Sequence, residues 1–571
     1  MSAKEESART SQGRELPLIS AQLLERISLC VLLFLALVPR VRDIGASFDR
    51  EFEGFQGAFF AMAAVNYERL GLEVAGGYPV LNIDLPGGTP EAARDLETSL
   101  FVYHNHPPTT ALLAWGSLRL MAPAGWESAW QEGRAPEGIE AALRLPFLLM
   151  HLAALLCLWW LARIAFGKQV ALIALALNVF LPVSALYGIL VNYENASLVF
   201  ILLAVAAYGC FVRHGSLRAL FGMGAAFMAG CSVTFAPAFF LPPLILRSAF
   251  GRKWGEATRV AIVGGASCLL PILLHSSASK NALEALGQAP ITIIERAWVL
   301  FLPLLDGSVP LTTWISAQLD HGQATLGTLL CVLASIGFLL GLLRRFSSKW
   351  NERLSAGEWP PSEEINVDLA TPLTLGTLLF LFAFYRHTGE EQWSFWLYAT
   401  PAATILAARA IHMGSLRLQK LRGGIAPLIL VVGTVMLGGL TRFETWRKAV
   451  RAPGPSDQAE VSTGPDAPLP QSVGRELSML LPAGSVGLHP SALGLNLAST
   501  WYAWRSLIAI DSLDDGIVDF VLKVVGLESA QRYLVLPKSP PAAAAAAVEE
   551  MRALLPAEPD LTSKDWEAWL R

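Results

Sequence analysis

Charged side chains are scarce in this sequence of 571 residues. Asp, Glu, Lys and Arg together make up 16% of the chain, 53% of it is hydrophobic, and the mean hydropathy is +0.45. Soluble domains carry about 25% charged residues, so this composition excludes an ordinary soluble protein. The chain also lacks any strongly basic segment, and we therefore expect no nucleic-acid partner.

Cysteine is absent from the polar segments of the chain. All six cysteines lie within apolar runs, which leaves neither a disulfide framework nor a zinc-ligand spacing to argue from. We interpret them as small core residues. They are Cys30, Cys157, Cys210, Cys231, Cys268 and Cys331.

Long apolar runs, in contrast, are abundant. A helix needs about 20 apolar residues to cross the hydrocarbon of a bilayer, and on that basis we predict about eleven spans. The first span is expected to be retained, because its apolar run (23–38) is followed by Pro39-Arg40-Val41-Arg42 in place of a small-residue cleavage site. The predicted spans are 22–44, 143–165, 169–190, 193–212, 219–233, 235–248, 258–275, 325–343, 371–386, 393–411 and 423–441.

The apolar stretch from Thr109 to Ala122 is too short for an ordinary span. Lysine and arginine collect in short cytoplasmic loops. If this stretch does not cross, all the basic connections between spans fall on one side, whereas a crossing would send Lys168 to the other. We therefore predict a short amphipathic or re-entrant helix at the interface. The basic connections are 167–168, 213–218, 247–259, 344–353 and 417–422.

This topology gives the chain a cytoplasmic tail (1–21) and a transmembrane domain (22–441). Four connections then share the outer face, and we expect the chemistry of the protein to be assembled there. The longest of them, 45–142, is the predicted catalytic loop. The others are 191–195, 276–324 and 386–392.

A second domain is predicted after the last span. Residues 442–472 are rich in Pro, Ser, Gly and Asp and indicate a linker. Residues 473–571 alternate short strand-like runs with helical stretches, which predicts a small soluble α/β domain. An odd number of spans places it on the outer face. The strand-like runs are 485–488, 507–510 and 533–536, and the helical stretches are 493–504, 516–525 and 542–555.

Three carboxylates open the first outer loop, in the segment SFDREFEGF. Asp49, Glu51 and Glu53 precede a helix predicted over 55–70. Negative charge at a helix start is stabilised by the free N–H groups and the dipole, so composition favours an N-cap and an acidic first turn. Carboxylates held against the membrane face are costly, however, and this placement favours a functional role.

Two histidines, His104 and His106, lie near the end of the same loop in the segment HNHPPTTALL. His-x-His is half of a metal site, which Asp49 or Glu51 would complete with oxygen ligands. Two histidines alone are more often hydrogen-bonding groups. We therefore assign no metal ligands, while a divalent cation stays compatible with the sequence.

These segments resemble the first outer loop of the membrane-embedded GT-C glycosyltransferases. The likeness is to the protein O-mannosyltransferase and aminoarabinose transferase superfamily. FDREFEGF is similar to its FDE-x-H-F-G signature, and HNHPPTTALL to its HPPLGK or EKPPL segment. The turn LPVSALYGILVNYENASLVF resembles its second outer loop, and Glu194 takes the place of the carboxylate there. The three segments follow in family order over roughly residues 20–440.

The resemblance implies transfer of a hexose or pentose from a polyprenyl-phosphate donor to a lipid, glycan or protein acceptor. A carboxylate would deprotonate the acceptor while the lipid phosphate leaves from the opposite face of the sugar. Two departures bear on this: the Asp-Glu pair of the family is Asp49-Arg50 here, and Thr109-Thr110 replaces its basic residue. Asp49 is therefore the expected base, and the roles of Glu51 and Glu53 stay open.

The leaving phosphate needs cationic groups or hydrogen-bond donors. Arg386 and His387, at the outer end of the ninth span, are the first candidates. Lys280 and Arg296 are the second, and Arg296 lies on a further interface helix predicted over 291–305. For Arg386 the alternative is a residue that snorkels to the interface. His104, His106 and Glu194 are the other expected substrate-binding residues.

Two other classes of protein were weighed. Secondary transporters show inverted repeats and charges at mid-membrane, whereas here mid-span charges are nearly absent and the polar residues gather in the outer loops. A non-catalytic assembly factor would use its second domain to bind a partner. The sequence favours a mannosyltransferase-like enzyme of the bacterial inner membrane, with its active site and second domain in the periplasm.

Overall fold

The computed structural model describes most of the transmembrane part of the chain and about half of the C-terminal domain. The described residues are 21–48, 51–73, 76–81, 102–131, 136, 138–285, 310–346, 368–384, 393–422, 433, 473, 476–477, 479–481, 486–490, 506–510, 531–538, 544–556, 558–563 and 565–570. Everything below concerns these residues.

The described part before residue 423 is helical throughout, apart from one short bridge between extended segments. We number its α-helices in chain order, and two 3-10 helices, Ala236–Phe240 and Trp393–Ala399, lie among them. The helices are α1 (Ala21–Arg42), α2 (Glu51–Leu70), α3 (Thr109–Met121), α4 (Trp126–Gln131), α5 (Glu140–Phe166), α6 (Lys168–Val179), α7 (Pro182–Tyr187), α8 (Tyr193–His214), α9 (Leu217–Cys231), α10 (Leu241–Phe250), α11 (Trp254–Ala285), α12 (Leu311–Leu326), α13 (Thr328–Phe346), α14 (Ala370–Ala383) and α15 (Thr400–Arg422).

Four of these helices are long and apolar enough to cross a membrane: α1, α5, α8 and α11. Helices α12 and α13 pass the same test as a pair, bent by 107° at Gly327. Shorter apolar helices, of 10 to 17 residues, lie between them. The first ten predicted spans each coincide with described helices, and the eleventh, 423–441, lies outside the described residues. The number of crossings therefore stays a prediction.

The bundle differs from the predicted spans in three details. The third span is broken, because Pro182 lacks the N–H that would continue α6 and begins the separate helix α7. The seventh extends ten residues further than predicted, to Ala285. Helix α12 lies in a segment that we expected to be a loop. The interface helix predicted over 291–305 lies outside the described residues.

Close contacts between helices hold the bundle together. In lipid, helices associate through van der Waals packing, and small residues allow their backbones to approach. Gly337 of α13 shows this, since a Cβ there would lie 2.1 Å from the carbonyl oxygen of Leu406 in α15. Large apolar side chains such as Leu269 and Phe221 are exposed, as expected for surfaces that face lipid.

The first outer loop forms its own apolar cluster around α2 and α3. Helix α3 contains 13 residues, too few to span, which agrees with its prediction as a non-crossing helix. Trp115 donates from Nε1 to Glu68 Oε2 at 2.9 Å and thereby ties α3 to α2. An antiparallel bridge between Val80 and Val102 closes the loop on itself.

The C-terminal domain contains a five-stranded mixed sheet. Its strands are β1 (Val486–Pro490), β2 (Ser506–Ile510), β3 (Arg532–Pro537), β4 (Leu561–Thr562) and β5 (Trp566–Leu570), in the order β2-β1-β3-β5-β4. The pairs β1–β2 and β1–β3 are parallel, and β5 is antiparallel to β3 and β4. Helix α16 (Ala545–Ala553) connects β3 to β4. The three predicted strands are confirmed, whereas β4 and β5 were not expected.

Candidate functional site

One end of the helical bundle gathers the ends of α1, α9 and α11 and the starts of α5 and α8. Tyr193, the first residue of α8, is where the separate outer segments meet. Its ring makes an edge contact with Phe60 of α2 at 5.2 Å between centroids and stacks on Tyr103 at 6.5 Å. Tyr193, in the third segment of the sequence resemblance, therefore touches residues that lie close in sequence to the other two segments.

His106 completes this contact. Its imidazole stacks on Tyr193 at 4.1 Å with an interplanar angle of 29°, and it lies 6.3 Å from the ring of Phe235, between α9 and the first 3-10 helix. Its Nδ1 is 3.4 Å from the hydroxyl of Thr234. His106 is thus held between the first outer loop, the start of α8 and the end of α9.

Glu194 follows Tyr193 and is 8% exposed. Asn192 caps the helix, accepting at Oδ1 from the Asn195 N–H at 2.9 Å, so Glu194 occupies the first turn without being the cap. Within the described part of the chain, its Oε2 has no hydrogen-bond partner. A carboxylate oxygen buried at a helix start without a partner is the most unusual polar group of this end.

The segment that leads to Asp49 is held in place by a contact between Phe48 and Arg144. Phe48 is fully buried, and the Arg144 guanidinium lies 4.9 Å from the centre of its ring. Asp49 itself lies outside the described residues. Glu51 begins α2 and Glu53 lies in its first turn, as an acidic helix start requires, but the side chains of both lie outside the described part.

His104 does not share the position of His106. Its Nδ1 is 3.2 Å from the carbonyl of Val102, two residues away, so this ring nitrogen is engaged by its own segment. Among the described residues, no group of three His, Cys, Asp or Glu side chains is placed to hold a metal ion. The predicted half-site of His104 and His106 is thus not completed by any described carboxylate.

Of the predicted phosphate-binding cations, only Lys280 lies in the described residues. It is 61% exposed and forms an ion pair with Glu284 at 3.6 Å along α11. An exposed pair of this kind contributes little to stability and does not mark a site. Arg296, Arg386 and His387 lie outside the described part, and their roles stay predictions.

Some aromatic residues of this end were not predicted as site residues, and Tyr78 and His275 are two of them. Tyr78 is buried, and its hydroxyl lies 2.8 Å from His275 Nδ1 and donates to the His275 carbonyl at 3.0 Å. His275, in the C-terminal third of α11, lies 5.4 Å from Phe235 and so connects to the His106 stack. A histidine near the end of an apolar run was the signal that could have found it.

Tyr398 was also not predicted. Its hydroxyl lies 2.7 Å from Ser197 Oγ, one helical turn after Glu194. The 3-10 helix that holds it follows directly on the segment of Arg386 and His387.

In the first loop, burial and the neighbouring Tyr78 raise the pKa of Tyr67 above its usual range. Its hydroxyl therefore stays protonated and donates to the carbonyl of Gly77 at 2.6 Å.

The profile of a family described as dolichyl-phosphate-mannose-protein mannosyltransferase matches residues 137–276. This segment contains Arg144, Glu194 and His275. No curated protein matches the sequence.

Solved structures extend the likeness to nearly the whole chain. ArnT from Cupriavidus metallidurans bound to undecaprenyl phosphate is 12% identical, with a TM-score of 0.56, and the match covers 96% of this chain and 98% of that one. The Archaeoglobus fulgidus oligosaccharyltransferase complex with Zn and sulfate is 12% identical, with a TM-score of 0.55 and coverage of 89% and 67%. The same enzyme tethered to an acceptor peptide gives a TM-score of 0.50 at 12% identity, with coverage of 91% and 70%.

The chain therefore has the fold of the membrane-embedded GT-C glycosyltransferases, with helical bundle and C-terminal domain both included in the match to ArnT. This confirms the resemblance that the three outer segments indicated, together with the predicted fold class.

Proposed function

We propose that this GT-C membrane protein transfers a hexose or pentose from a polyprenyl-phosphate carrier to a lipid, glycan or protein acceptor, by inverting displacement. The observation that carries the proposal is Glu194. This buried carboxylate oxygen has no partner among the described residues, and it lies beside Tyr193, where the family-like segments meet. An uncompensated buried carboxylate is costly, and a substrate group that donates hydrogen bonds would offset that cost.

The reaction assigns different tasks to the acidic residues. The acceptor hydroxyl or amine forms a bond to the anomeric carbon while the bond from that carbon to the phosphate oxygen breaks. Asp49 takes the acceptor proton, with Glu51 and Glu53 as the alternatives, and the lipid phosphate leaves with the electron pair. Glu194 orients the acceptor or the sugar by accepting hydrogen bonds at Oε2.

The phosphate of the sugar donor is proposed to be bound by the cationic residues. ArnT was solved with undecaprenyl phosphate, and this supports a polyprenyl-phosphate carrier for the present chain. The negative charge of the leaving phosphate requires donors, for which Arg386 and His387, and then Arg296 and Lys280, are proposed. Lys280 would have to exchange its exposed partner Glu284 for the phosphate, which its surface position allows.

His106 is proposed to form a wall of the site. Its ring stacks on Tyr193 and adjoins Tyr103, and this aromatic cluster is proposed to line the sugar-binding pocket. His104 stays a proposed binding residue at the same loop, and the acceptor class stays broad. The oligosaccharyltransferase with its tethered peptide illustrates a protein acceptor on this fold.

A divalent cation is compatible with this site but is not required by the residues described. Glu194 Oε2 is one buried oxygen without a partner that those residues offer as a ligand, and Asp49 would be a second. A cation held there would neutralise negative charge near the leaving phosphate. Loss of activity on chelation, restored by one metal alone, would establish this part of the proposal.

The location of the site is proposed from the distribution of Lys and Arg. It would be the periplasmic face of the bacterial inner membrane, with the C-terminal domain on the same side. A reporter that is active only in the cytoplasm should be silent when fused after Arg571. Activity of that fusion would reverse the assignment.

The enzymatic proposal is tested with purified protein and a panel of labelled polyprenyl-phosphate sugars that varies the sugar and the prenyl length. Membrane extract supplies the acceptors. We expect transfer of label together with release of polyprenyl phosphate, and loss of both in Asp49→Asn. Binding of donors without any transfer would instead favour an assembly protein, and uptake of label into sealed vesicles would favour a transporter.

A further inference from the structure

Arg144 is a buried cation that the proposed mechanism does not use. It lies in the second turn of α5 and is 1% exposed. An arginine in such a position is costly unless its donors are used. Here Nη1 donates to the carbonyl of Ile44 at 2.9 Å and also to the carbonyl of Ala46, and the guanidinium lies 4.9 Å from the ring centre of Phe48.

These three contacts of Arg144 fall on one short stretch of chain, the irregular segment between α1 and α2. The two carbonyls that accept from Arg144 lie outside the helices, so no helical hydrogen bond satisfies them. The guanidinium supplies their donor. The planar guanidinium can donate at its edge and stack with its face at the same time. One side chain thus fixes residues 44, 46 and 48.

Phe48 also packs against α2. Gly57 of α2 lies against its ring, and a Cβ at that position would come within 2.2 Å of a ring carbon. The absence of a side chain at residue 57 therefore makes room for Phe48, and both supports of this ring are specific to their residue types.

We propose that Arg144 is a positioning residue for the catalytic base, acting through Phe48. Successive Cα atoms lie about 3.8 Å apart, so fixing Phe48 fixes the point from which Asp49 continues. Helix α2 begins two residues later, at Glu51, and bounds the segment from the other side. The inference rests on the proposed function, in which Asp49 takes the acceptor proton.

The test compares Arg144→Gln with Arg163→Gln. Arg163 lies at the other end of the same helix, 5.4 Å from the ring centre of Trp159, and forms an ion pair with Glu25. Since misplacing a reacting group by about 1 Å costs about 10²-fold in rate, Arg144→Gln should lower kcat by about that factor while KM for the donor stays within about twofold. Arg163→Gln should leave both unchanged.

A structural readout accompanies the kinetics. In a background without the six native cysteines, Ser47→Cys reports on the segment through its rate of reaction with an impermeant thiol reagent. That rate should rise in Arg144→Gln and stay unchanged in Arg163→Gln. Arg144→Lys keeps the charge but cannot stack and donate together, and we expect it to recover only part of kcat.

Gly57→Ala gives a second route to the same outcome if Arg144→Gln does not fold. It leaves Arg144 in place and displaces the ring of Phe48, so kcat should fall and Ser47→Cys should react faster. Normal kcat in the folded variants, in a protein that Asp49→Asn inactivates, would overturn the positioning role and leave the proposed function intact. Normal turnover in Asp49→Asn would overturn the proposed base itself.

Discussion

The charged side chains at the two ends of the helical bundle differ in the partners that they have. At the end away from Tyr193, Arg163 forms an ion pair with Glu25, with 2.8 Å between Nε and Oε1. There Arg247 donates to the carbonyl of Asp368 at 2.9 Å and to the Tyr208 hydroxyl at 3.2 Å. At the Tyr193 end, no described cation forms an ion pair with the buried Glu194, and its Oε2 has no hydrogen-bond partner among the described residues.

Under the proposed function, this difference distinguishes polar groups that stabilise the fold from one that binds a substrate. A charge that is matched inside the protein stabilises the bundle or costs it little. A buried carboxylate that is not matched lowers stability, and it persists where a substrate supplies the missing partner. Under the proposed function the Tyr193 end receives a substrate, whereas the carboxylates of Glu25 and Glu256 at the opposite end are paired with Arg163 and Lys253. The predictions below test this contrast.

The largest effect is expected for Asp49→Asn. The substitution keeps shape and hydrogen bonding but removes basicity, so folding and donor binding should persist while turnover falls about 10²- to 10⁴-fold. Label transfer by purified protein measures this, with Glu51→Gln and Glu53→Gln as controls that should lose less, Glu51→Gln more of the two. A dead Glu53→Gln beside an active Asp49→Asn would move the base by one helical turn.

Glu194→Gln sharpens the contrast most directly. Because the carboxylate has lost its solvation without gaining a partner at Oε2, its removal should leave Tm unchanged or raise it, while kcat/KM falls about 10²-fold. Glu25→Gln at the other end should show the reverse, with a lower Tm from the unpaired Arg163 and normal turnover. Parallel losses of Tm in both variants would contradict the functional assignment of Glu194.

Two substitutions of His106 distinguish the contribution of ring stacking to kcat/KM from that of hydrogen bonding. His106→Phe keeps a ring against Tyr193 but loses the contact of Nδ1 with Thr234, whereas His106→Ala loses both. Aromatic pairs contribute about 0.5–1.5 kcal/mol, which corresponds to about 2- to 13-fold in kcat/KM. We expect that loss in His106→Ala and near-normal kcat/KM in His106→Phe. Equal losses in both variants would instead assign the role to the ring nitrogen.

Much of the bundle was predictable from the sequence because hydrophobic length is a local property. The runs that became α1, α5, α8 and α11 are visible as unbroken apolar stretches, and Pro182 marks the break that follows α6. Helix α12 was missed because its mixture of Thr, Gln, Asp and His resembles a loop. Strand β4 was missed because an edge strand of two residues leaves no alternation to detect, and β5 because the Glu, Ala and Leu of its segment WEAWL also favour a helix.

The site was predictable only in part, since its contacts join residues far apart in sequence. Glu194 and His106 were found because they lie in segments that resemble a known family. Tyr78 and His275 are 197 residues apart, and Arg144 is 98 residues from Ala46, so no local pattern announces either pair. That His104 turns to its own backbone while His106 stacks on Tyr193 depends likewise on three-dimensional packing.

The smallest effect is expected from a pair of tyrosines at opposite ends of the bundle. Tyr78→Phe removes the hydroxyl that contacts His275, and Tyr208→Phe removes the one that contacts Ser248 at 2.8 Å. Each leaves buried polar groups unsatisfied, so each should lower the free energy of unfolding by about 1–3 kcal/mol. Thermal unfolding of the two purified variants measures this, and the similar losses make them matched controls for each other.

Only Tyr78→Phe should also lower turnover, by a few-fold, because His275 adjoins Phe235 and the His106 stack. Reduced turnover in Tyr208→Phe of the same size would show that activity follows stability at either end, and the distinction between the two ends would fail.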